Sequence, residues 1–444
     1  MVHTTVSPAH APVDVAACLR HARSACLRSG PPRLVGVELE WLVQDHRDPA
    51  LPVDEARLAG ALEACAPGLR LPLGTAVSRE PGGQVELSSQ PADSLTACVR
   101  NVREDLRTVR AALASVGYRT AGYGVDPWRE PARTLVHLPR YTAMERLFDR
   151  CHPWGRFMMG ASASVQVCVD AGTEDPGPFG RRRRWRLAHL LGPVLVAAFA
   201  NSPMFEGRPT GWRSTRQAIW ARLDPGRTLA PLPGPGTDLR DAWARYALDA
   251  SVMCVRAHDE DPWVMPVDLT FRRWIEDAGR DTVGRPPTLE DFEYHLGTLF
   301  PPVRPQGYLE LRMIDAQPGD DGWLVPLAVV AALFEDPVAG RAAERALALL
   351  DAPPGPPPRN GLWRRAARRG MADRPLRHAA QSCLIAASAA LGRLGAPELR
   401  HLVDEFADRY VARGRCPADD LLDASEPARA RHTPRPEGAP TWPA

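Results

Sequence analysis

Residues 308–318 read "YLELRMIDAQP", and this stretch decides how the fold is interpreted. Apolar and polar side chains alternate along it with a period of two, which is the pattern of a β-strand with one buried face. Glu310 and Arg312 fall together on the polar face, where a strand that only has to fold needs no such pair. The stretch therefore predicts a strand that carries chemistry on one face.

Three other segments alternate in the same way: "LVGVELEWLV" (34–43), "GGQVELSSQ" (82–90) and "ASVQVCVD" (163–170). Their apolar residues share one face, and the opposite faces carry Glu38, Glu40, Glu86, Ser164 and Gln166. Helical segments such as 95–117 are interspersed without a regular βαβ repeat. We therefore predict an α+β fold in which a curved antiparallel sheet forms a concave active site and is flanked by helices.

The chain is long enough for a large core, with 444 residues of which 44% are hydrophobic. We expect a catalytic domain over residues 1–350 and a C-terminal helical segment over 351–424 that packs on it. The proline-rich "APPGPPP" at 352–358 marks the boundary between them. Residues 425–444 have the composition of a disordered tail.

Charge and composition exclude several classes of function. The formal net charge is only +2, so no strong field favours nucleic acid or an anionic membrane as a partner. The sequence contains no lysine, which rules out a Walker-A loop and Schiff-base catalysis. The most apolar helix candidate, at 187–200, is too short to span a bilayer. We therefore expect a cytoplasmic protein in which arginine binds any anionic substrate.

The polar faces of the four strands suggest a metal site. If the strands lie side by side, the carboxylates of Glu38, Glu40, Glu86 and Glu310 converge. Close carboxylates repel one another, and hard divalent cations relieve that repulsion, with Mg²⁺ or Mn²⁺ as the best match for oxygen ligands. Metals held in this way commonly bridge the phosphates of a nucleotide. Arg312 would then stabilise a transferring phosphoryl group or bind a substrate carboxylate.

Seven segments, in order from residue 36 to residue 422, resemble one known family. They are "GVELEW", "GGQVELSS", "FMMGASASVQVCVD", "STRQAIWARLDPGRT", "TFRRWI", "PPTLEDFEYHLGTLFPPVRPQGYLELRMIDAQP" and "GRCPADDLL". The chain is similar to the glutamate–cysteine ligases of the plant and bacterial type, and most similar to the actinobacterial branch that serves ergothioneine synthesis. The segment from Pro287 to Pro318 is the most specific of the seven.

The resemblance implies an activity and a set of substrates. Enzymes of this family use ATP to join the γ-carboxylate of L-glutamate to the amine of L-cysteine through γ-glutamyl phosphate. The products are γ-glutamylcysteine, ADP and phosphate. The first step needs positioning and charge neutralisation more than a dedicated base.

The resemblance also implies roles for individual residues. The family's metal-binding glutamates match Glu38, Glu40, Glu86 and Glu310. The residue that matches Gln166 lies at the edge of the metal or the nucleotide. Residues that match Arg216 and Trp220 hold the glutamate substrate, and Arg227 and Arg312 are candidates for phosphate or substrate contacts. Plant enzymes read "TCTVQVNLD" near the third strand, where Ser162 and Ser164 keep the hydroxyl groups but Ala163 and Cys168 differ.

Two other classes of function remain open on the sequence. One is a related ligase that joins a carboxylate to a different amine, and the other is a two-metal hydrolase that uses the same carboxylates.

Overall fold

A computed structural model of the chain describes residues 11–29, 34–131, 134–234, 236–257, 263–278, 283–351 and 354–429. The strands are β1 (Val35–Asp45), β2 (Ala76–Arg79), β3 (Val85–Ser88), β4 (Tyr118–Ala121), β5 (Ser164–Asp170), β6 (Met204–Phe205), β7 (Arg208–Pro209), β8 (Val303–Pro305) and β9 (Tyr308–Asp315).

The helices of the first half are α1 (Val15–Ala25), α2 (Glu55–Cys65), α3 (Leu95–Ser115), α4 (Pro139–Phe148), α5 (Trp154–Gly160), α6 (Arg181–Ala198), α7 (Thr215–Trp220) and α8 (Pro225–Thr228). Those of the second half are α9 (Leu239–Asp249), α10 (Phe271–Glu276), α11 (Leu289–Leu296), α12 (Leu324–Glu335), α13 (Pro337–Leu347), α14 (Gly361–Arg369), α15 (Arg374–Leu391), α16 (Pro397–Phe406) and α17 (Pro417–Arg429).

One antiparallel sheet organises the molecule. Its strands follow the order β2-β3-β1-β5-β9-β8, and β4 pairs with the second half of β1. The central strands β1, β5 and β9 are three of the four that the alternating sequence pattern predicts, and β3 is the fourth. The α+β class with an antiparallel sheet is therefore confirmed. Strands β2, β4 and β8 were not predicted.

The apolar face of the sheet forms the main core. Val37, Val167 and Leu311, which alternate with the polar residues, are at most 1% exposed. Helix α12 packs on β5 and helix α6 on β9. Every residue of α12 is buried, because its sequence is apolar on all sides and it is covered by α13, α15 and α16. The helices thus bury one face and leave the other face for the site.

A β-bulge interrupts the pairing of β5 with β9. Val165 pairs with Ile314 and Val167 with Leu311, so Arg312 and Met313 together lie opposite Gln166. The bulge leaves two backbone carbonyl groups of β9 without a partner in the β5–β9 ladder, and side chains of α7 donate to both. Arg216 Nη2 donates to Arg312 O at 2.9 Å, and a side-chain amide on the same helix donates to Met313 O. The bulge therefore ties a short helix to the strand that carries Arg312.

The C-terminal part of the chain is helical after the proline-rich segment, and α15 contacts α12, α13 and α16. Residues 425–429 form the end of α17, and residues 430–444 of the expected tail lie outside the described residues. The division at 350 and 424 stays a prediction. Across the described ranges, no helix is long and apolar enough to cross a membrane.

Candidate active site

A cavity of about 390 Å³ opens on the polar face of the sheet. Four carboxylates line it: Glu38 and Glu40 from β1, Glu86 from β3, and Glu80 from the turn between β2 and β3. The antiparallel register sets Glu40 opposite Glu86, which explains how residues 46 positions apart meet at one place. The structure therefore brings the predicted glutamates of β1 and β3 together in one cavity.

The β2–β3 hairpin is held against helix α5 by its turn. The Gln84 side chain accepts from Gly82 N at 2.9 Å, and its amide donates to Met159 O at 3.1 Å and Ser162 O at 3.0 Å. A Cβ atom on Gly82 would lie 2.1 Å from Gly160 O, so only glycine allows the turn to approach the helix this closely. This contact fixes the glutamates of the hairpin relative to the rest of the cavity.

The carboxyl groups of Glu38, Glu80 and Glu86 have raised pKa values. Burial, followed by the charges of neighbouring glutamates, raises the pKa of Glu80 to about 7 and that of Glu86 to about 8. Burial and the charges of Glu310 and Glu86 also raise the pKa of Glu38 well above its ordinary value. The cavity therefore holds acidic groups that repel one another when they are ionised, and a bound cation relieves that repulsion.

The charge of Glu310, in contrast, is balanced by two arginines. Arg304 Nε donates to Glu310 Oε2 at 2.6 Å, Gln306 adds a bond at 3.2 Å, and Arg312 Nη1 donates to Oε1 at 2.5 Å. Burial acts to raise the pKa of Glu310, but the two arginines outweigh burial and lower the pKa to about 2. Glu310 is fully buried as an ion-paired carboxylate and does not face the cavity with the other four.

A hydrogen-bonded chain connects the arginines to the carboxylates. Arg312 Nη1 also donates to Gln166 Oε1, and Gln166 Nε2 donates to Glu40 Oε1 at 2.8 Å. Ser164 Oγ donates to the other oxygen of Glu40 at 2.9 Å. Gln166 thus orients both the Arg312 guanidinium and the Glu40 carboxylate, and the β9 bulge lies directly opposite Gln166.

Arg216 and Trp220 line the same cavity from α7. The Arg216 guanidinium lies 4.5 Å from the centre of the Trp220 ring and 3.9 Å from the Asp315 carboxylate. It is only 2% exposed, and its Nε and Nη1 atoms have no hydrogen-bond partner. A buried guanidinium with unused donors is suited to a carboxylate ligand.

The other predicted site residues lie in different places. Ser162 lines the cavity, but its hydroxyl donates to Met158 O at 2.7 Å. Arg227 does not line the cavity. It is fully buried and donates to Thr298 O at 2.7 Å and to Ser251 O at 2.6 Å. The structure thus gives Arg227 a framework role and does not bring it to the other predicted residues.

Sequence reasoning missed several residues of the site, among them Glu80 and Arg304. Glu80 precedes the turn Pro81–Gly83, which joins β2 to β3, and the pattern "AVSR" before a double glycine was the available signal. Arg304 lies in β8, whose short sequence ends in Pro305 and gives no alternation to detect. Proline is tolerated there because β8 is an edge strand.

The carboxylate oxygens that line the cavity are the kind of ligand that divalent cations bind. Within the described part of the chain, no three His, Cys, Asp or Glu side chains are close enough to bind one ion as they stand. Like charges favour separation, and burial together with the charges of neighbouring glutamates raises the pKa values of Glu38, Glu80 and Glu86. Oxygen ligands of this kind match Mg²⁺ or Mn²⁺. The identity of the metal stays a prediction.

Fold and cavity together define a site in which carboxylates suited to cations face arginines suited to anions. Residues 34–436 match the family model described as glutamate–cysteine ligase family 2. The chain belongs to this family.

Curated relatives agree with the family assignment. The chain is 39% identical to "Glutamate–cysteine ligase EgtA" of Mycobacterium tuberculosis, over 92% of this chain and 90% of that protein. The match to the protein of the same name from Mycolicibacterium smegmatis is also 39%, over 89% and 91%. The chloroplastic glutamate–cysteine ligase of Arabidopsis thaliana is 31% identical over 78% of this chain and 65% of its own length.

Solved structures are more distant. A bifunctional glutathione synthetase from Pasteurella multocida aligns with a TM-score of 0.42 and 13% identity over 89% of this chain and 50% of that chain. A glutamate–cysteine ligase from Francisella tularensis in complex with AMP gives a TM-score of 0.38 and 10% identity, over 91% and 89%. Likenesses this low add nothing to the family assignment.

Proposed function

We propose that the protein joins the γ-carboxylate of L-glutamate to the amine of L-cysteine at the expense of ATP. The observation that carries the proposal is the single cavity in which Glu38, Glu40, Glu80 and Glu86 face Arg216 and Arg312. In the first step, a γ-carboxylate oxygen attacks the γ-phosphorus of ATP, and ADP leaves. In the second, the cysteine amine attacks the acyl carbon, phosphate leaves, and the nitrogen loses its proton.

Arginines of the chain bind and orient the reacting groups. Arg216, buried against Trp220 with unused donors, is suited to the α-carboxylate of glutamate. Arg312, held by Gln166 and Glu310, is suited to the phosphoryl group as its negative charge spreads over the oxygens. Both arginines are preorganised by protein contacts, so little reorganisation is needed during the reaction.

Glu38, Glu40, Glu80 and Glu86 are the residues that we expect to hold Mg²⁺ or Mn²⁺. The chemistry that such a cation supplies is neutralisation of phosphate charge on ATP. The ion pairs of Glu310 make it a positioning residue for Arg304 and Arg312. Its metal-binding role stays a prediction from the sequence.

Product analysis tests the proposal directly. The protein is incubated with ATP, Mg²⁺, glutamate and a panel of amines, and the products are identified by mass spectrometry. We expect γ-glutamylcysteine and a release of ADP that requires both glutamate and cysteine. Another amine as the preferred acceptor would favour a related ligase, and ADP release without any amine would favour a hydrolase.

We further infer that γ-glutamylcysteine made by this protein enters ergothioneine synthesis. The support is the resemblance to the actinobacterial branch of the family and the 39% identity to the mycobacterial relatives. A cytoplasmic location fits this proposal, because the reaction consumes ATP and free amino acids. Deleting the gene and measuring ergothioneine tests the inference, and unchanged ergothioneine would contradict it.

A further inference from the structure

A second cavity, of about 400 Å³, lies along one face of α6. The end of α13, the start of α14 and the segment that precedes α9 complete its walls. Its volume is within the range of small-molecule sites, and no described residue lines both this cavity and the candidate active site. This α6 cavity is therefore a separate candidate for ligand binding.

Positive charge gathers on the helix side of the α6 cavity. Five of the first six residues of α6 are arginines, and three of them form ion pairs with carboxylates. The other two, Arg182 and Arg186, are exposed and line the cavity, and within the described ranges neither has a carboxylate partner. Arg182 donates to Thr237 O at 2.8 Å. The described lining contains one carboxylate, that of Asp351, so the cavity is suited to an anion, and the planar guanidinium group matches a carboxylate in particular.

Apolar side chains form much of the remaining lining of the α6 cavity. Leu190 lies on α6, Leu347 ends α13, Leu350 follows it, and Leu362 lies in the first turn of α14. Leu232, from the segment before α9, is 53% exposed. A ligand that covers these side chains removes apolar surface from water, which favours binding. The body of the ligand should therefore be apolar.

Two buried polar atoms in the same lining have no partner among the described residues: Trp185 Nε1 and His189 Nε2. The two rings are neighbours, with centres 4.7 Å apart. His189 Nδ1 donates to Trp185 O at 2.9 Å, because a carbonyl oxygen can only accept, and burial lowers the pKa of His189 to about 4. The neutral ring therefore offers Nε2 as an acceptor, while the indole N–H of Trp185 is a donor. A hydroxyl group can accept from one and donate to the other.

We propose that the α6 cavity binds a small organic acid with an apolar body, whose carboxylate contacts Arg182 and Arg186 and whose hydroxyl group contacts Trp185 and His189. A purely apolar ligand would leave the two buried ring nitrogens without partners, and a cation would meet two arginines that lack carboxylate partners. The proposal is independent of the ligase activity, because none of these four residues lines the candidate active site.

Three related ligands test the proposal on the unmodified protein. They are para-hydroxyphenylacetate, its neutral amide para-hydroxyphenylacetamide, and phenylacetate, which lacks the hydroxyl group. Their dissociation constants are measured by ligand-observed NMR titration. We expect the amide and phenylacetate each to bind about fivefold more weakly than para-hydroxyphenylacetate, because each loses one polar contact. Equal binding of the acid and its amide, equal binding of the two acids, or no binding of any of the three would overturn the proposal.

A pair of exposed arginines locates the binding. Arg186→Gln removes a charge from the α6 cavity, and Arg341→Gln, on α13, removes one from an exposed position that does not line it. We expect Arg186→Gln to weaken binding of para-hydroxyphenylacetate by about threefold or more and to leave the amide unchanged, whereas Arg341→Gln should change neither. Equal effects of the two variants would show that net charge attracts the acid and would overturn the site. Loss of binding in Arg216→Lys, with Arg186→Gln unaffected, would place the acid in the candidate active site instead.

Discussion

Arg216 is the residue whose surroundings most directly predict a kinetic effect. Its guanidinium stacks on Trp220 and keeps donors free, so it is suited to a bidentate contact with the glutamate α-carboxylate. We expect Arg216→Lys to raise the KM for glutamate by roughly tenfold or more, because a planar fork becomes a point charge. The measurement is steady-state kinetics with each substrate varied in turn.

Arg222 offers a matched control for this substitution. It follows the same helix, α7, and its guanidinium lies 5.1 Å from the Trp154 ring, but it does not line the cavity. Arg222→Lys should leave the KM for glutamate unchanged. If Arg216→Lys changed only the KM for ATP, the assignment of Arg216 to glutamate would be wrong.

Arg312 is expected to act on the rate more than on binding. Its Nη1 donates to both Gln166 and Glu310, which holds the guanidinium rigidly beside the carboxylate cavity. We expect Arg312→Ala to lower kcat by about 10²-fold or more with a smaller effect on ATP affinity, since the charge of the phosphoryl group spreads most in the transition state. Single-turnover formation of γ-glutamyl phosphate measures the step.

A Mg²⁺ series distinguishes this role from simple charge balance. Removal of Arg312 leaves Glu310 with Arg304 as its remaining arginine partner. If Arg312 only screens that carboxylate, additional Mg²⁺ should restore the rate of Arg312→Ala. Full restoration by Mg²⁺ would exclude a role of Arg312 in phosphoryl transfer.

At the scale of elements, the β2–β3 hairpin makes the most sensitive contact. The Gly82 backbone touches Gly160 at the end of α5 so closely that a methyl group cannot be accommodated without movement. We expect Gly82→Ala to shift the hairpin that carries Glu80 and Glu86 by about 1 Å and to reduce kcat/KM by up to about 10²-fold. Kinetics and circular dichroism together would measure the loss of activity and the retention of fold.

A glycine in an open position is the control for this substitution. An ideal Cβ at Gly60, within α2, meets no atom within 4 Å. Gly60→Ala should retain full activity and stabilise the helix by about 1 kcal/mol, because alanine has the better helix propensity. Full activity in Gly82→Ala would show that the turn tolerates movement and that the hairpin does not position the glutamates.

The elements that the sequence predicts well are those with a long, strictly alternating pattern. The central strands β1, β5 and β9 each pack one apolar face into the core, and this packing enforces a period of two that is visible in the residues. The edge strands β2 and β8 have only four and three residues. So few positions cannot establish a period, which is why Glu80 and Arg304 were not predicted.

The bulge in β9 marks a second limit of sequence reasoning. Alternation alone correctly set Glu310 and Arg312 on one face, and the two side chains do meet. It could not reveal that Arg312 and Met313 share a single partner, because a bulge depends on the pairing register with another strand. The ion pair between Glu310 and Arg304 could not be predicted either, because Arg304 lies on a neighbouring strand and the pair depends on the strand register.

At the scale of the whole molecule, buried histidine predicts how stability depends on pH. His295 Nε2 donates to Ala247 O at 2.8 Å, while Nδ1 is buried without a partner. Burial, helped by the charge of Arg227, lowers the pKa of His295 to about 3. In the unfolded chain its pKa is about 6.5, so below that pH the unfolded state binds a proton that the folded state excludes.

Stability that is present above pH 6.5 should therefore be lost progressively as the pH falls towards the folded-state pKa. We expect this histidine alone to lower the free energy of unfolding by about 2 kcal/mol between pH 7 and pH 5. Urea unfolding at both pH values measures the change, and His295→Gln should reduce it. The control is His401→Gln, whose wild-type side chain is 83% exposed. If the free energy of unfolding fell by the same amount between pH 7 and pH 5 in both variants, the pH dependence could not be assigned to His295.

The hydrogen bonds of Gln166 have a consequence for how the protein acquires its activity. This side chain joins Glu40, 126 positions before it, to Arg312, 146 positions after it. No local segment of the chain can form the site, because large loops must close before either bond exists. Helices form early in folding and pairings between distant strands form late. A newly synthesised chain should thus gain most of its helical structure well before it can turn over substrate, and the enzyme becomes competent only in the last steps of folding.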